Sequence, residues 1–157
     1  MTDMSLLGFM EHLAGFALRL EHEEHKALEH AAKVIQTEAK REIGTYQGDA
    51  GPFAAWQELA DSTKTDRVRQ GFSANDPLLR TGEMRDSIEY TLGHHEAAIG
   101  SNSDIAVWQE LGTEKIPARS FLGGAAMRKA HVVAEILGVS AVQALVGPRV
   151  RIPISRD

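Results

Sequence analysis

The 157-residue chain contains no cysteine, which excludes disulfide frameworks and thiolate-held zinc. It also lacks a basic excess. Its 17 Lys and Arg stand against 22 Asp and Glu, and the net charge of −5 argues against a protein that coats nucleic acid. No apolar run reaches the ~20 residues that a membrane span needs. The most apolar stretch, "MTDMSLLGFMEHLAGFALRL", has no basic leader and is interrupted by Glu11, His12 and Arg19, so neither signal nor anchor is expected. Recognisable catalytic motifs are missing as well. There is no Ser-His-Asp ordering, nucleophile elbow or phosphate loop, and the glycines of "GTYQGDAG" do not follow a strand and open a helix. With no activated nucleophile or acid–base pair to assemble, neither an enzyme nor a cofactor is expected.

What is present has a globular balance, 43% apolar and 25% charged residues. Its length suits one domain over 1–157, burying roughly two-thirds of the unfolded surface. From Ser5 to about Ile43 the periodicity is helical: Leu6, Met10, Leu13, Ala17, Leu20, Leu28, Ala31, Ile35 and Ala39 share one face. Glu24 interrupts that stripe. Its position predicts either a bend or a half-helix that packs on a partner.

After a glycine-rich connector, a second helix is expected from Ala54 to about Gln70. Thr81 is placed to cap a single turn ending near Asp86. Ile88, Tyr90 and Leu92 then alternate as one face of a strand, and "AAIG" returns as its hairpin partner beyond "GHHE". A short helix is expected from Asp104 to Leu111, stopped by Gly112. Another should run from Arg119 to Leu137 and break at Gly138, with "VSAVQALVG" as a further helix. "RVRIPI" alternates like an edge strand or arm. The fold class is α+β. A long amphipathic helix (5–43) precedes an α+β body (54–137) with helices on a small, mostly antiparallel sheet, and a helix/strand extension (138–157) ends as a C-terminal arm.

Two features invite a chemical reading. His22, His25 and Glu29 lie at i, i+3 and i+7, a metal-capable set on one helix face. The spacing is not that of a metalloprotease helix, and the residues lie off the apolar stripe, so a solvated face with pairs such as Glu29–Lys33 is the plainer reading. The second feature is the word WQEL, which occurs at Trp56–Leu59 and at Trp108–Leu111 and holds both tryptophans. The first copy runs on into "ADSTKTDR" and the second into "GTEKIPARSF", so they are not a repeat. Each is read as a core anchor with Trp and Leu on one side of a helix.

Three segments together resemble the tail-component, or virion-morphogenesis, family of tailed bacteriophages. "WQELADSTKTDR" is similar to the family's Trp-x-x-Leu followed by Ser-Thr and a basic helix. "DPLLRTGEMRDSIEY" resembles its Pro-Leu-x-x-Thr-Gly-x-Leu-x-x-Ser-Ile element, with Met84 in the usual Leu place. "AAIGSNSDIAVWQELGTEKIPARSFLGGA" resembles the aromatic helix ending in Glu-x-Gly-Thr before Pro-x-Arg-x-Phe-Leu. The likeness covers about residues 5–137. Ser120 replaces a frequent proline, and Gly123-Gly124 replace a more helix-friendly start.

The resemblance implies a non-enzymatic neck protein of the tail-completion or tail-terminator type. It would form a ring of itself, commonly of six copies, between the tail tube protein and a head-side connector or stopper. DNA would pass through the lumen without sequence-specific binding and no membrane would be involved. The chain would reside in the host cytoplasm before assembly and in the virion neck afterwards. Subunit contacts are expected in "GTEKIPARSF" and its flanks, at Glu110, Gly112, Thr113, Pro117, Arg119 and Phe121. Further contacts are expected at Arg80 and Arg85 and in the arm at Arg151, Ile152 and Ile154. The competing class is a cytosolic metal-binding or adaptor module built on the His-rich helix.

Overall fold

The computed structural model describes residues 5–146. The expected strand in "RVRIPI", with Arg151, Ile152 and Ile154, lies outside them. Leu6–Glu42 is one continuous helix, α1, of 37 residues. The Ser5 hydroxyl caps it by accepting the Gly8 N–H at 3.1 Å, and Lys40 and Arg41 sit favourably in its last turn. The helix runs unbroken through Glu24. Beyond Ile43, the Gly44 N–H donates to the Pro77 carbonyl at 2.8 Å and ties the connector to a later loop.

The long helix meets a second one, α5 (Leu122–Val146), of 25 residues. Arg128 bonds Glu42, Lys129 reaches Glu38, and the Ser140 hydroxyl donates to the Glu23 carbonyl at 2.7 Å, so the two helices run antiparallel. Their shared seam is made of small side chains. Ala27, Ala31, Ala32 and Ala39 of α1 are buried, as are Ala125, Ser140 and Ala144 of α5. The expected break at Gly138 does not occur. An interior glycine costs a helix only about 1 kcal/mol, and Ser140 and Ala144 are buried beyond it.

The second expected helix is shorter than its pattern. Only Asp61–Arg69 is helical (α2), and residues 54–60 have no regular secondary structure. Their backbone donors are already taken. The Ala55 N–H goes to Asp49 Oδ1 at 2.7 Å, that of Trp56 to the Gln47 carbonyl at 2.9 Å, and that of Leu59 to the Tyr46 hydroxyl at 3.1 Å. Next come the single turn α3 (Glu83–Asp86) and the hairpin β1 (Ile88–Leu92) and β2 (Ala97–Ser101), then α4 (Asp104–Leu111). Thr81 Oγ1 accepts the Glu83 N–H at 3.4 Å at the start of the turn.

The two strands pair antiparallel, from Ile88 opposite Ser101 to Leu92 opposite Ala97. Ile88 is fully buried, and Gln36 of α1 donates to its carbonyl at 2.8 Å, which fastens the hairpin to the long helix. Ile88 joins Ala39, Ile43, Trp56, Met84, Ala106, Phe121 and Ala125 in the main core cluster. That core sits at the C-terminal end of α1. The expected α+β class holds, with the sheet reduced to this hairpin among the described residues.

Candidate assembly surface

In the loop expected to bind a neighbour, Arg119 and Phe121 are held within their own chain, while Thr113, Glu114 and Lys115 are exposed. Arg119 is buried, 4% exposed, and its guanidinium donates to the Gln57 carbonyl at 2.9 and 3.2 Å and to that of Glu58 at 3.3 Å. Its own N–H reaches the Gln109 carbonyl. One arginine therefore clamps the first WQEL word to the second. Burial pulls its pKa below the ordinary guanidinium value, and the carbonyl oxygens replace the lost water.

Glu110 is also turned inward. Its two carboxylate oxygens accept the N–H groups of Leu122 and Gly123, each at 2.9 Å, so it caps the start of α5, where negative charge is favoured. Ser120 donates to the Glu110 carbonyl at 3.0 Å rather than capping the helix itself. Gly112 has φ +76, and a β-carbon there would stand 2.8 Å from the Ala118 nitrogen, so the turn requires glycine. Thr113 Oγ1 accepts from the N–H of Lys115 and Ile116, Pro117 is half-buried, and Phe121 is fully buried in the core. Gly123 does not loosen the helix start as its sequence context suggested. The Phe53 ring lies where a side chain at that position would be.

The other expected sites are likewise occupied locally. Arg80 donates to Asp66 and Gln70 and lies 5.2 Å from the centre of the Phe72 ring, while Arg85 pairs with Asp86. Glu29 accepts from Lys33 at 2.5 Å and from the Tyr90 hydroxyl at 3.5 Å. His22 and His25 border a shallow recess with Glu21 and His94. Among the described residues no three His, Asp or Glu side chains could hold a metal ion. The hairpin tip instead rests on α1, with His95 Nδ1 3.0 Å from Glu24 Oε1.

Sequence reasoning missed the buried charged side chains. Arg67 is buried and donates to the Ser73 and Leu79 carbonyls, fixing the loop around Pro77. Glu42 is fully buried. Its Oε1 accepts from Arg128 at 2.7 Å, and its Oε2 has no hydrogen-bond partner. Burial pushes its pKa up to about 7; Arg128 opposes that shift and Glu38 adds to it. Glu38 moves the other way, held below the usual range chiefly by its hydrogen bond with Arg41. Charge counting could not separate these two glutamates. Their relation to the apolar stripe could: Glu38 and Glu42 flank Ala39 on the buried side of the helix.

What remains uncovered is apolar. On α1, Leu6 is 77% exposed and Leu18 69%, and Leu7, Phe9, Met10, Leu13 and Leu20 are exposed with them. Around the helix axis they form an arc of about 180°. The α5 bond from Ser140 falls at Glu23, and six more residues carry that helix only about 9 Å further. The first turns of α1 therefore project past its described residues.

A second apolar area lies on α4, where Ile105, Val107, Trp108 and Leu111 are exposed. This corrects the reading of the two WQEL words. Trp56 is a core anchor, but it is held in a segment without regular secondary structure. Trp108 is helical, half-exposed, and no core residue at all. Beside α4 opens a groove of about 530 Å³, walled by Leu59, Leu78, Met84 and Ile105 and edged by Thr63 and Arg80. Gln109 lines it too, and its buried Oε1 has no hydrogen-bond partner.

No helix among the described residues is long and apolar enough to cross a membrane. Compared with models of protein families, with curated proteins and with solved structures, the chain matches none.

Proposed function

We propose that the chain is a structural component of a tailed-phage neck, of the tail-completion or tail-terminator type. In this reading it acts by self-association into a ring, commonly of six copies, between the tail tube and a head-side connector or stopper. One observation carries it: the first half of α1 is apolar over about half its circumference, and the described residues leave that face exposed. A monomer gains nothing from that surface, whereas an assembly protein requires one. The three segments that resemble the phage family supply the context, and they supply no catalytic role.

The acidic balance, −5 per subunit, supports the same reading. A lumen lined by net negative subunits repels DNA and lets it pass. The competing metal-binding reading gains less, because Glu29 is already held by Lys33 and Tyr90. Negative-stain microscopy of the purified chain tests the proposal. Closed rings with an opening wide enough for duplex DNA are expected. A chain that remains monomeric at every attainable concentration contradicts it.

A further inference from the structure

The two uncovered apolar surfaces belong to opposite ends of the molecule and have opposite shapes. One is convex, the helix segment Leu6–Leu20. The other is concave, the groove beside α4 walled by Leu59, Leu78, Met84 and Ile105. The groove walls Leu78 and Met84 belong to the core around Ala39 and Ile43, so the groove lies at the C-terminal end of α1. Leu13, midway along the apolar segment, stands about 45 Å from Ile43 along the helix axis, at about 1.5 Å per residue. The helix between them is continuous. A chain therefore cannot fold its own helix into its own groove.

From this we infer that the Leu6–Leu20 segment of one copy docks into the α2–α3–α4 groove of a second copy. The inference rests on the proposed self-association and specifies its contact. Three features favour a second copy as the occupant. Each molecule carries one convex and one concave surface, so pairing them head to tail leaves neither exposed within the assembly. The segment is about 22 Å long, longer than α4, whose Ile105 forms one wall of the groove.

The third feature is area. Seven large apolar side chains of the helix segment and four of α4 are exposed, enough to supply the apolar centre of an interface of standard size, about 1,600 Å². Such a contact is heterologous: it joins different patches, so it propagates until a ring closes. An isologous contact, α1 against α1, would stop at two copies and leave the groove open.

The test uses Met10→Glu, which spoils the helix, and Ile105→Glu, which spoils the groove. Both residues are exposed in the single chain, at 58% and 53%, so neither change creates a buried charge in the monomer. Circular dichroism checks the fold, and Leu6→Glu and Leu111→Glu are the substitutes should either variant misfold. Light scattering then gives the mass. Each variant alone should be monomeric where the wild-type chain assembles, its association weakened by roughly 30-fold or more, as for loss of an interface hot spot. An equimolar mixture should give a one-to-one dimer and nothing larger, because one intact helix and one intact groove remain.

A mixture that stays monomeric overturns the inference, as does an Ile105→Glu chain that keeps the wild-type mass. If wild-type rings persist in both variants, the contact is wrong and the neck reading stands. If the wild-type chain itself never associates, both fall.

Discussion

The two halves of α1 belong to one unbroken helix and meet different fates. From Ala27 to Glu42 the residues facing inward are alanine and glutamate, and they are buried; from Leu6 to Leu20 they are leucine, methionine and phenylalanine, and they are exposed. The reversal runs against hydrophobicity and obeys geometry. Small residues let α5 approach closely enough to bury the polar Glu38 and Glu42, while the larger residues from Leu6 to Leu13 extend past the described end of α5. An apolar stripe thus marks a face that needs covering, and it does not say which molecule covers it.

The largest expected effect comes from the covered half. Phe121 is fully buried in the cluster that holds Ala39 and Ile43. Phe121→Ala should cost about 3–5 kcal/mol, read as a lower urea midpoint. A loss below about 1 kcal/mol would mean that this half is not held by the core described.

Glu42 gives the next largest effect, through pH. Its folded pKa, about 7, lies above the ordinary 4.5. Its contribution to stability is therefore fully present below pH 4.5 and is lost as pH rises through 7. Relative to Glu42→Gln, the wild-type chain should lose up to roughly 3 kcal/mol between about pH 4.5 and 8. Unfolding curves for both proteins at several pH values measure it, and parallel pH dependences would refute the burial effect.

Arg119→Ala should rank third, at about 1–3 kcal/mol, because the Gln57 and Glu58 carbonyls lose their donor. Thermal unfolding reads this. An unchanged melting temperature with a smaller assembly mass would instead restore Arg119 to the subunit interface. The smallest effect belongs to the uncovered half. Leu7→Ser should change monomer unfolding by less than about 0.5 kcal/mol, while dilution light scattering shows dissociation at higher concentration than for the wild type.

These contrasts also show what the sequence made legible. The long helix, the hairpin from Ile88 and the short helix before Gly112 each carry their own periodicity and stop signals, and all three are present. The irregular run at 54–60 was not legible, because it depends on distant partners, Gln47, Tyr46 and Arg119, for its backbone hydrogen bonds. The continuity of α5 through Gly138 was hidden for a similar reason: packing on α1 outweighs a local weakness.

Arg119 and Glu110 looked like interface residues because both are charged and border a stiff loop. Each finds its partners far along the same chain, at backbone groups that no composition rule marks. The candidate surface was legible only in part. The unpartnered half of α1 was suggested by Glu24 interrupting its stripe, whereas the groove draws its walls from several separate segments.

The central claim is that another copy, and not its own fold, covers the first half of α1. Amide hydrogen exchange at low and high protein concentration tests it most directly, since a projecting helical segment of this length is marginal alone. Protection over Leu6–Leu20 should rise with concentration while that over Ala27–Glu42 stays constant. Equal protection of Leu6–Leu20 at both concentrations, with the chain monomeric at each, would contradict the account.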